Sequence, residues 1–128
     1  MPFFRRRGPE PLSGAPVSRR QKTYQAQSGY VYEYFYEGFR HASGFREYVF
    51  SVSADRRQAS AVSVFLSSDA LRAWEERHGR QLRDVECYAF AKVALMRTFD
   101  GRDTPAQVFE PTYVDLAGIE SIVEFLGL

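Results

Sequence analysis

The chain has 128 residues, of which 45% are hydrophobic and 16% aromatic, and its formal net charge is +1. A chain of this length buries somewhat less than ~70% of its unfolded surface, which is enough for one globular domain around one core. Cys87 is the only cysteine, so an internal disulfide framework and a thiolate metal cluster are excluded. No apolar run approaches the ~20 residues that span a bilayer. We therefore expect a cytoplasmic protein without a membrane partner, a cofactor or a metal.

The charge is unevenly distributed along the chain. Residues 1–22 hold six basic side chains against one acidic side chain, together with four of the six prolines. The remaining residues hold 11 basic and 15 acidic side chains. Segments rich in proline and charge have little apolar surface to bury. We therefore predict a disordered or extended basic arm over residues 1–22 and a single folded domain over residues 23–128.

The run YVYEYFYEGF, from Tyr30 to Phe39, predicts the first strand. Side chains alternate between the two faces of a strand, so the four tyrosines at alternate positions share one face. Such a row of phenols is either one wall of a core or an aromatic platform for a ligand, and we favour the core. The other face places Val31 and Phe35 between glutamates, and it is the predicted binding or self-association surface.

Two further strands follow at short intervals. The alternation of apolar and polar residues predicts strands over residues 45–54 and 59–66, with polar turns over residues 41–44 and 55–58. Because consecutive strands joined by short loops pair antiparallel, these strands are expected to form an antiparallel meander.

Helical patterns occupy the second half of the chain. A serine cap at residue 67 or 68 and Gly79 delimit the first predicted helix. Residues 83–99 are apolar nearly all round, which predicts a central buried helix. Residues 101–114 are expected to be loop with a short extended piece over residues 107–110, and Asp115 caps a final amphipathic helix. The predicted fold class is α+β: a three-stranded antiparallel meander followed by two or three helices packed on one face of the sheet.

The sequence contains none of the usual catalytic motifs, such as a phosphate-binding glycine loop or a zinc-binding HExxH pair. His41 and His78 are the only histidines, and their spacing does not suit a metal site. Cys87 lies among apolar residues and is interpreted as an inert buried thiol. If the protein is an enzyme, a site at the junction of sheet and helices is expected, with Glu33, Tyr34, Glu37 and His41 as candidates.

Our leading hypothesis is a small non-catalytic protein-interaction or ligand-binding module that forms a homodimer through its sheet. The expected partner is a second copy of the chain or another protein. The candidate ligand or interface residues are those of the face opposite the tyrosines: Val31, Glu33, Phe35, Glu37, Val49 and Phe65.

The alternative hypothesis is a nucleic-acid-associated protein. Arginines of the basic arm and of the two hairpin turns would neutralise phosphates. The candidates are Arg5, Arg6, Arg7, Arg19, Arg20, Arg40, Arg46, Arg56 and Arg57.

Overall fold

The computed structural model describes residues 10–55 and 57–128. Within these residues the strands are β1 (Lys22–Gln25), β2 (Val31–Ala42), β3 (Phe45–Ser53), β4 (Ser60–Ser67) and β5 (Thr112–Val114). The helices are α1 (Ser68–His78), α2 (Asp84–Gly101), α3 (Pro105–Val108) and α4 (Leu116–Leu126).

The strands form one mixed sheet in the order β1-β2-β3-β4-β5. The first four strands pair antiparallel, and β5 pairs parallel with β4. The predicted α+β class and the opening antiparallel meander are therefore confirmed. The predicted strand number is wrong, because β1 and β5 extend the three-stranded meander at its two edges.

The hairpin between β2 and β3 explains how the meander begins. Ala42 pairs with Phe45, so only Ser43 and Gly44 form the turn. Both have positive φ angles, 41° and 86°. Two-residue turns with positive φ at both positions match the natural twist of paired strands, which favours a tight hairpin here.

A β-bulge interrupts β2 between Tyr36 and Gly38, where the pairing with β3 shifts by one residue. Gly38 adopts a φ of 132°, a conformation that side chains with a Cβ rarely tolerate. The extra residue reverses the alternation of faces. Phe39 consequently pairs with Tyr48 and lies on the same face as the tyrosines.

The helices begin and end where the sequence offers caps. The Ser67 hydroxyl accepts a hydrogen bond from the Ala70 amide at the start of α1, and Gly79 ends that helix with a φ of 66°. Asp115 accepts from the Gly118 amide in the same way at the start of α4. These bonds satisfy backbone groups that have no partner within the helix.

We call the side of the sheet that carries Tyr32, Tyr34 and Tyr36 the tyrosine face, and the opposite side the reverse face. The core lies between the tyrosine face and the helices α1, α2 and α4. The Phe99 ring of α2 stacks on Tyr32 with 4.4 Å between ring centroids. Tyr32 and Tyr34 are 0% and 4% exposed, which confirms the core interpretation for these two, whereas Tyr30 is 42% exposed.

Two predictions for the later chain are wrong in detail. The extended piece expected over residues 107–110 is instead the short helix α3, with Pro105 at its first turn, followed by the strand β5. Proline is favoured at the start of a helix because its missing N–H has no helical partner there.

None of the helices in the described residues is long and apolar enough to cross a membrane.

Candidate ligand-binding site

The reverse face contains two carboxylates that are bound in the same way. Arg19 donates through two nitrogens to the Glu37 carboxylate, and the Ser51 hydroxyl donates to it as well. Arg40 and Ser63 do the same for Glu47. The hydrogen bond from Arg19 lowers the pKa of Glu37, so both partners are charged at neutral pH.

Glu47 pairs with Arg40 directly across the β2–β3 ladder. Burial raises the pKa of Glu47, but the hydrogen bonds from Arg40 and Ser63 outweigh it and hold the pKa below its usual value.

The apolar candidates of the reverse face are largely covered by the protein itself. The Arg19 guanidinium lies 4.0 Å from the centroid of the Phe35 ring, a cation–π contact. Val49 is buried. Phe65 stacks on Tyr113 of β5, with 4.8 Å between ring centroids. Val31 and Tyr113 are exposed.

The four candidate catalytic residues do not converge. Glu33 and Glu37 lie on the reverse face, where Glu33 pairs in register with Ser53. Tyr34 lies on the tyrosine face, and His41 lies at the far end of β2, opposite Arg46. Among the described residues, no three histidine, cysteine or acidic side chains are grouped so that they could hold a metal ion.

The candidate nucleic-acid residues are divided among several roles. Arg5, Arg6, Arg7 and Arg56 lie outside the described residues. Arg19 and Arg40 are held by glutamates, and Arg46 contacts both Asp84 and the Tyr48 hydroxyl. Arg20 and Arg57 are exposed. The described arginines therefore form no continuous basic surface.

Residues 13–20, which we call the strap, run along the outer edge of β2. At one end Ser13 and Phe39 exchange two backbone hydrogen bonds of 2.8 and 2.9 Å. At the other end the strap leads into β1, where Lys22 pairs with Tyr34. Arg19 points to the reverse face, whereas Pro16, Ser18 and Arg20 point to the tyrosine face.

The strap, β2 and α2 enclose a cavity of about 330 Å³, which we call the tyrosine cleft. Its lining residues are Pro16, Ser18, Arg20, Lys22, Tyr34, Tyr36 and Tyr88. A neighbouring cavity of about 420 Å³ shares Pro16, Tyr36 and Tyr88 with it. Sites for small organic ligands commonly have volumes of ~300–1,000 Å³.

Three phenols dominate the walls of the tyrosine cleft. The rings of Tyr36 and Tyr88 lie 4.7 Å apart. Burial raises the pKa of Tyr34, Tyr36 and Tyr88, so all three hydroxyls are protonated at neutral pH. None of these hydroxyls has a hydrogen-bond partner within the described residues. They are available to donate to a ligand or to water.

The rim of the cleft is positively charged. Arg20 and Lys22 line it directly. Lys92 is not among the lining residues, but it lies one helical turn after Tyr88 on α2, so the two side chains share a helix face. Burial lowers the pKa of Lys92, and the nearby charge of Lys22 lowers it further. Within residues 10–55 and 57–128, no carboxylate pairs with any of these three cations.

A separate cavity of about 300 Å³ between α2, β5 and α4 has a structural explanation. One of its two lining arginines, Arg102, donates to the backbone carbonyls of Gln107, Glu110 and Pro111 and to the Thr112 hydroxyl. The guanidinium thereby satisfies backbone groups between α3 and β5. It is not available to a ligand in this arrangement.

The architecture defines an α+β protein with a strapped cleft on the helical side of its sheet. No protein-family model, curated protein or solved structure matches the chain. The site is therefore interpreted from its own geometry.

Sequence reasoning identified only part of this cleft. Tyr34 and Tyr36 were recognised in the ladder, but Tyr88 and Lys92 were interpreted as part of a buried helix. Their spacing of four residues on α2 was the available signal, since it places both on one face. Their approach to Lys22 depends on tertiary packing, which no local pattern reveals.

Proposed function

We propose that this protein is a non-catalytic module that binds a compact organic ligand in the tyrosine cleft. The observation that supports the proposal is the combination of three phenols, without hydrogen-bond partners among the described residues, around a cavity of about 330 Å³. Their hydroxyls are not sealed from solvent. They can therefore donate to the polar atoms of a ligand in the cleft.

The chemistry of the lining residues favours binding over catalysis. A phenol whose pKa is raised by burial remains a hydrogen-bond donor at neutral pH and is a poor general base. The other titratable side chains that line the tyrosine cleft, Arg20 and Lys22, are cations. The lining residues of the tyrosine cleft therefore include no pair that could act as general acid and general base at neutral pH.

The shape of the cleft favours a flat ligand. Tyr36 and Tyr88 present ring surfaces inclined at 51° to each other, so an aromatic body can contact one face and the edge of the other. Stacking of an aromatic ring on a tyrosine contributes ~1–3 kcal/mol in binding sites for bases. Such contacts place the body of the ligand between the strap and α2.

The proposal is tested with the neutral aromatic probe 2-naphthol, titrated into the full chain and followed by probe fluorescence. We expect saturable binding with one site. Tyr88→Ala should weaken it at least tenfold, because it removes the ring opposite Tyr36.

Tyr113→Ala is the matched control. Tyr113 is an exposed tyrosine on the reverse-face side of the sheet, stacked on Phe65 and remote from the cleft. Its removal should leave 2-naphthol binding unchanged. Because Tyr88→Ala could disturb the helix, Tyr36→Phe is measured as well, and we expect a smaller loss from its missing hydroxyl. Equal binding by all of these proteins, or no saturable binding, would overturn the proposal.

A further inference from the structure

We infer that the ligand of the tyrosine cleft is an aromatic anion, with a carboxylate or phosphate held between Lys22 and Lys92. This inference rests on the proposed function and names the ligand class for the same site. A flat ring would lie against Tyr36 and Tyr88, and the anionic group would face the positively charged rim.

Lys22 and Lys92 are the only lysines of the chain. Lys22 lines the cleft and pairs in register with Tyr34, while Lys92 follows Tyr88 by one turn of α2. Lys22 approaches the cavity from the sheet. Lys92 is not among the residues that line the cavity, but it lies on the helix that carries Tyr88 and is close enough to Lys22 for that charge to lower its pKa.

Within the described residues, no carboxylate pairs with these two lysines. Three arginines of the described chain, in contrast, have close carboxylates: Arg19 has Glu37, Arg40 has Glu47 and Arg80 has Glu86. Lys22 and Lys92 instead repel each other. Two like charges at a partly buried cavity favour the binding of an anion between them.

The polar groups at the cleft are mostly hydrogen-bond donors. The Tyr34 and Tyr88 hydroxyls are protonated and have no hydrogen-bond partner among the described residues, and ammonium groups supply only donors. Carboxylate and phosphate oxygens are acceptors without a competing donor when ionised. Hydrogen bonds to charged acceptors are also stronger than those to neutral ones. The cleft therefore matches an oxyanion better than a neutral polar group.

The experiment uses lysine resonances as reporters in the intact chain. Reductive methylation with ¹³C-formaldehyde labels both lysines and the terminal amine and retains their positive charge. The labelled protein is titrated with 2-naphthoate, 2-naphthyl phosphate and 2-naphthol, and carbon–proton correlation spectra are recorded. We expect both lysine signals to shift with the two anions, with a tighter dissociation constant than for 2-naphthol.

Charge-removing variants provide the second readout, on unlabelled protein by probe fluorescence. Lys22→Gln and Lys92→Gln should each weaken 2-naphthoate binding about two- to fivefold, as for ion pairs near a surface. Because 2-naphthol is neutral, both variants should weaken its binding less than they weaken the binding of 2-naphthoate. Arg57→Gln is the control, because Arg57 is an exposed cation in the β3–β4 connection and outside the cleft. It should leave both affinities unchanged.

The outcomes separate this inference from the proposal on which it rests. If 2-naphthol binds and the anions bind no tighter, the anion inference fails while the binding module stands. If none of the probes binds, the proposed function fails. If eight-residue oligothymidylate binds with the same dependence on Lys22 and Lys92 while the small anions do not, the occupant is nucleic acid and this inference is wrong.

Discussion

The strap passes close to β2 at Gly38. A Cβ built at this position would lie 2.7 Å from the Ser13 carbonyl oxygen and 3.0 Å from the Leu12 Cβ. Its φ of 132° is also unfavourable for alanine. Gly38→Ala must therefore either strain the bulge or push Ser13 away from Phe39.

Both responses have a similar energetic cost. Displacing the strap loses the two backbone hydrogen bonds between Ser13 and Phe39, each with a net contribution of ~0.5–1.5 kcal/mol. Retaining the strap leaves a residue in a sparsely populated backbone region, at a cost of ~1–3 kcal/mol. We expect Gly38→Ala to lower the free energy of unfolding by ~1–3 kcal/mol.

The assay is urea unfolding combined with amide hydrogen exchange of Phe39 and Ser13. Gly29→Ala is the control, because Gly29 also has a positive φ, 98°, but its Cβ would meet open space. It should show the backbone cost without loss of amide protection. Gly38→Ala should additionally accelerate exchange at the Phe39 amide and weaken 2-naphthoate binding, since the strap forms one wall of the cleft.

One result would refute this reasoning. If Gly38→Ala and Gly29→Ala lower the free energy of unfolding equally and the Phe39 amide stays equally protected in both, the position of the strap does not depend on Gly38. The close approach of Ser13 would then have no energetic consequence.

Two further predictions concern acid stability and association. Hydrogen bonds from Arg80 and from the Arg83 amide lower the pKa of Glu86 from 4.5 to about 2, so this carboxylate stabilises the fold above pH 4.5 and ceases to do so as the pH falls towards 2. Glu86→Gln should therefore be less stable than the native chain at pH 7 in urea unfolding, with a difference that shrinks below pH 4.5; a constant difference would contradict this. Self-association through the reverse face predicts a mass near twice 14.7 kDa by light scattering, reduced by Tyr113→Lys; a monomer at millimolar concentration would disprove it.

The part of the fold that could be predicted is the part with strong local periodicity. Alternation across Tyr32 and Tyr34 identified β2 and its buried face. The polar turn predicted over residues 41–44 located the hairpin, although only Ser43 and Gly44 form it. Serine and aspartate caps located the starts of α1 and α4. These signals lie within a few residues of the structure that they specify.

The strands that were missed depend on distant partners. In β1 only Tyr24 contacts the core, through Phe99, so the segment has no alternating apolar pattern to detect. The strand β5 has three residues and pairs parallel with β4 only after α1 and α2 have crossed the sheet. Tertiary contacts rather than local preference determine both.

In the candidate site, too, local sequence patterns predicted some features and tertiary contacts determined the others. The sequence placed Glu37 on the reverse face, but its pairing with Arg19 requires the strap to lie beside β2. The bulge at Gly38 also transfers Phe39 to the tyrosine face, which strict alternation from Tyr30 did not anticipate. The tyrosine cleft lies at this irregular edge of β2, where local sequence patterns predict the structure least well.

The position of the strap also protects the sheet against edge-to-edge aggregation with other chains. A long exposed strand edge offers unpaired backbone groups to any extended polypeptide and invites aggregation. The outer edge of β2 is instead paired with β1 at residues 31–34 and with Ser13 at Phe39. The outermost strands of the described chain are β1 and β5, with four and three residues, and such short edges give an aggregating strand little to extend.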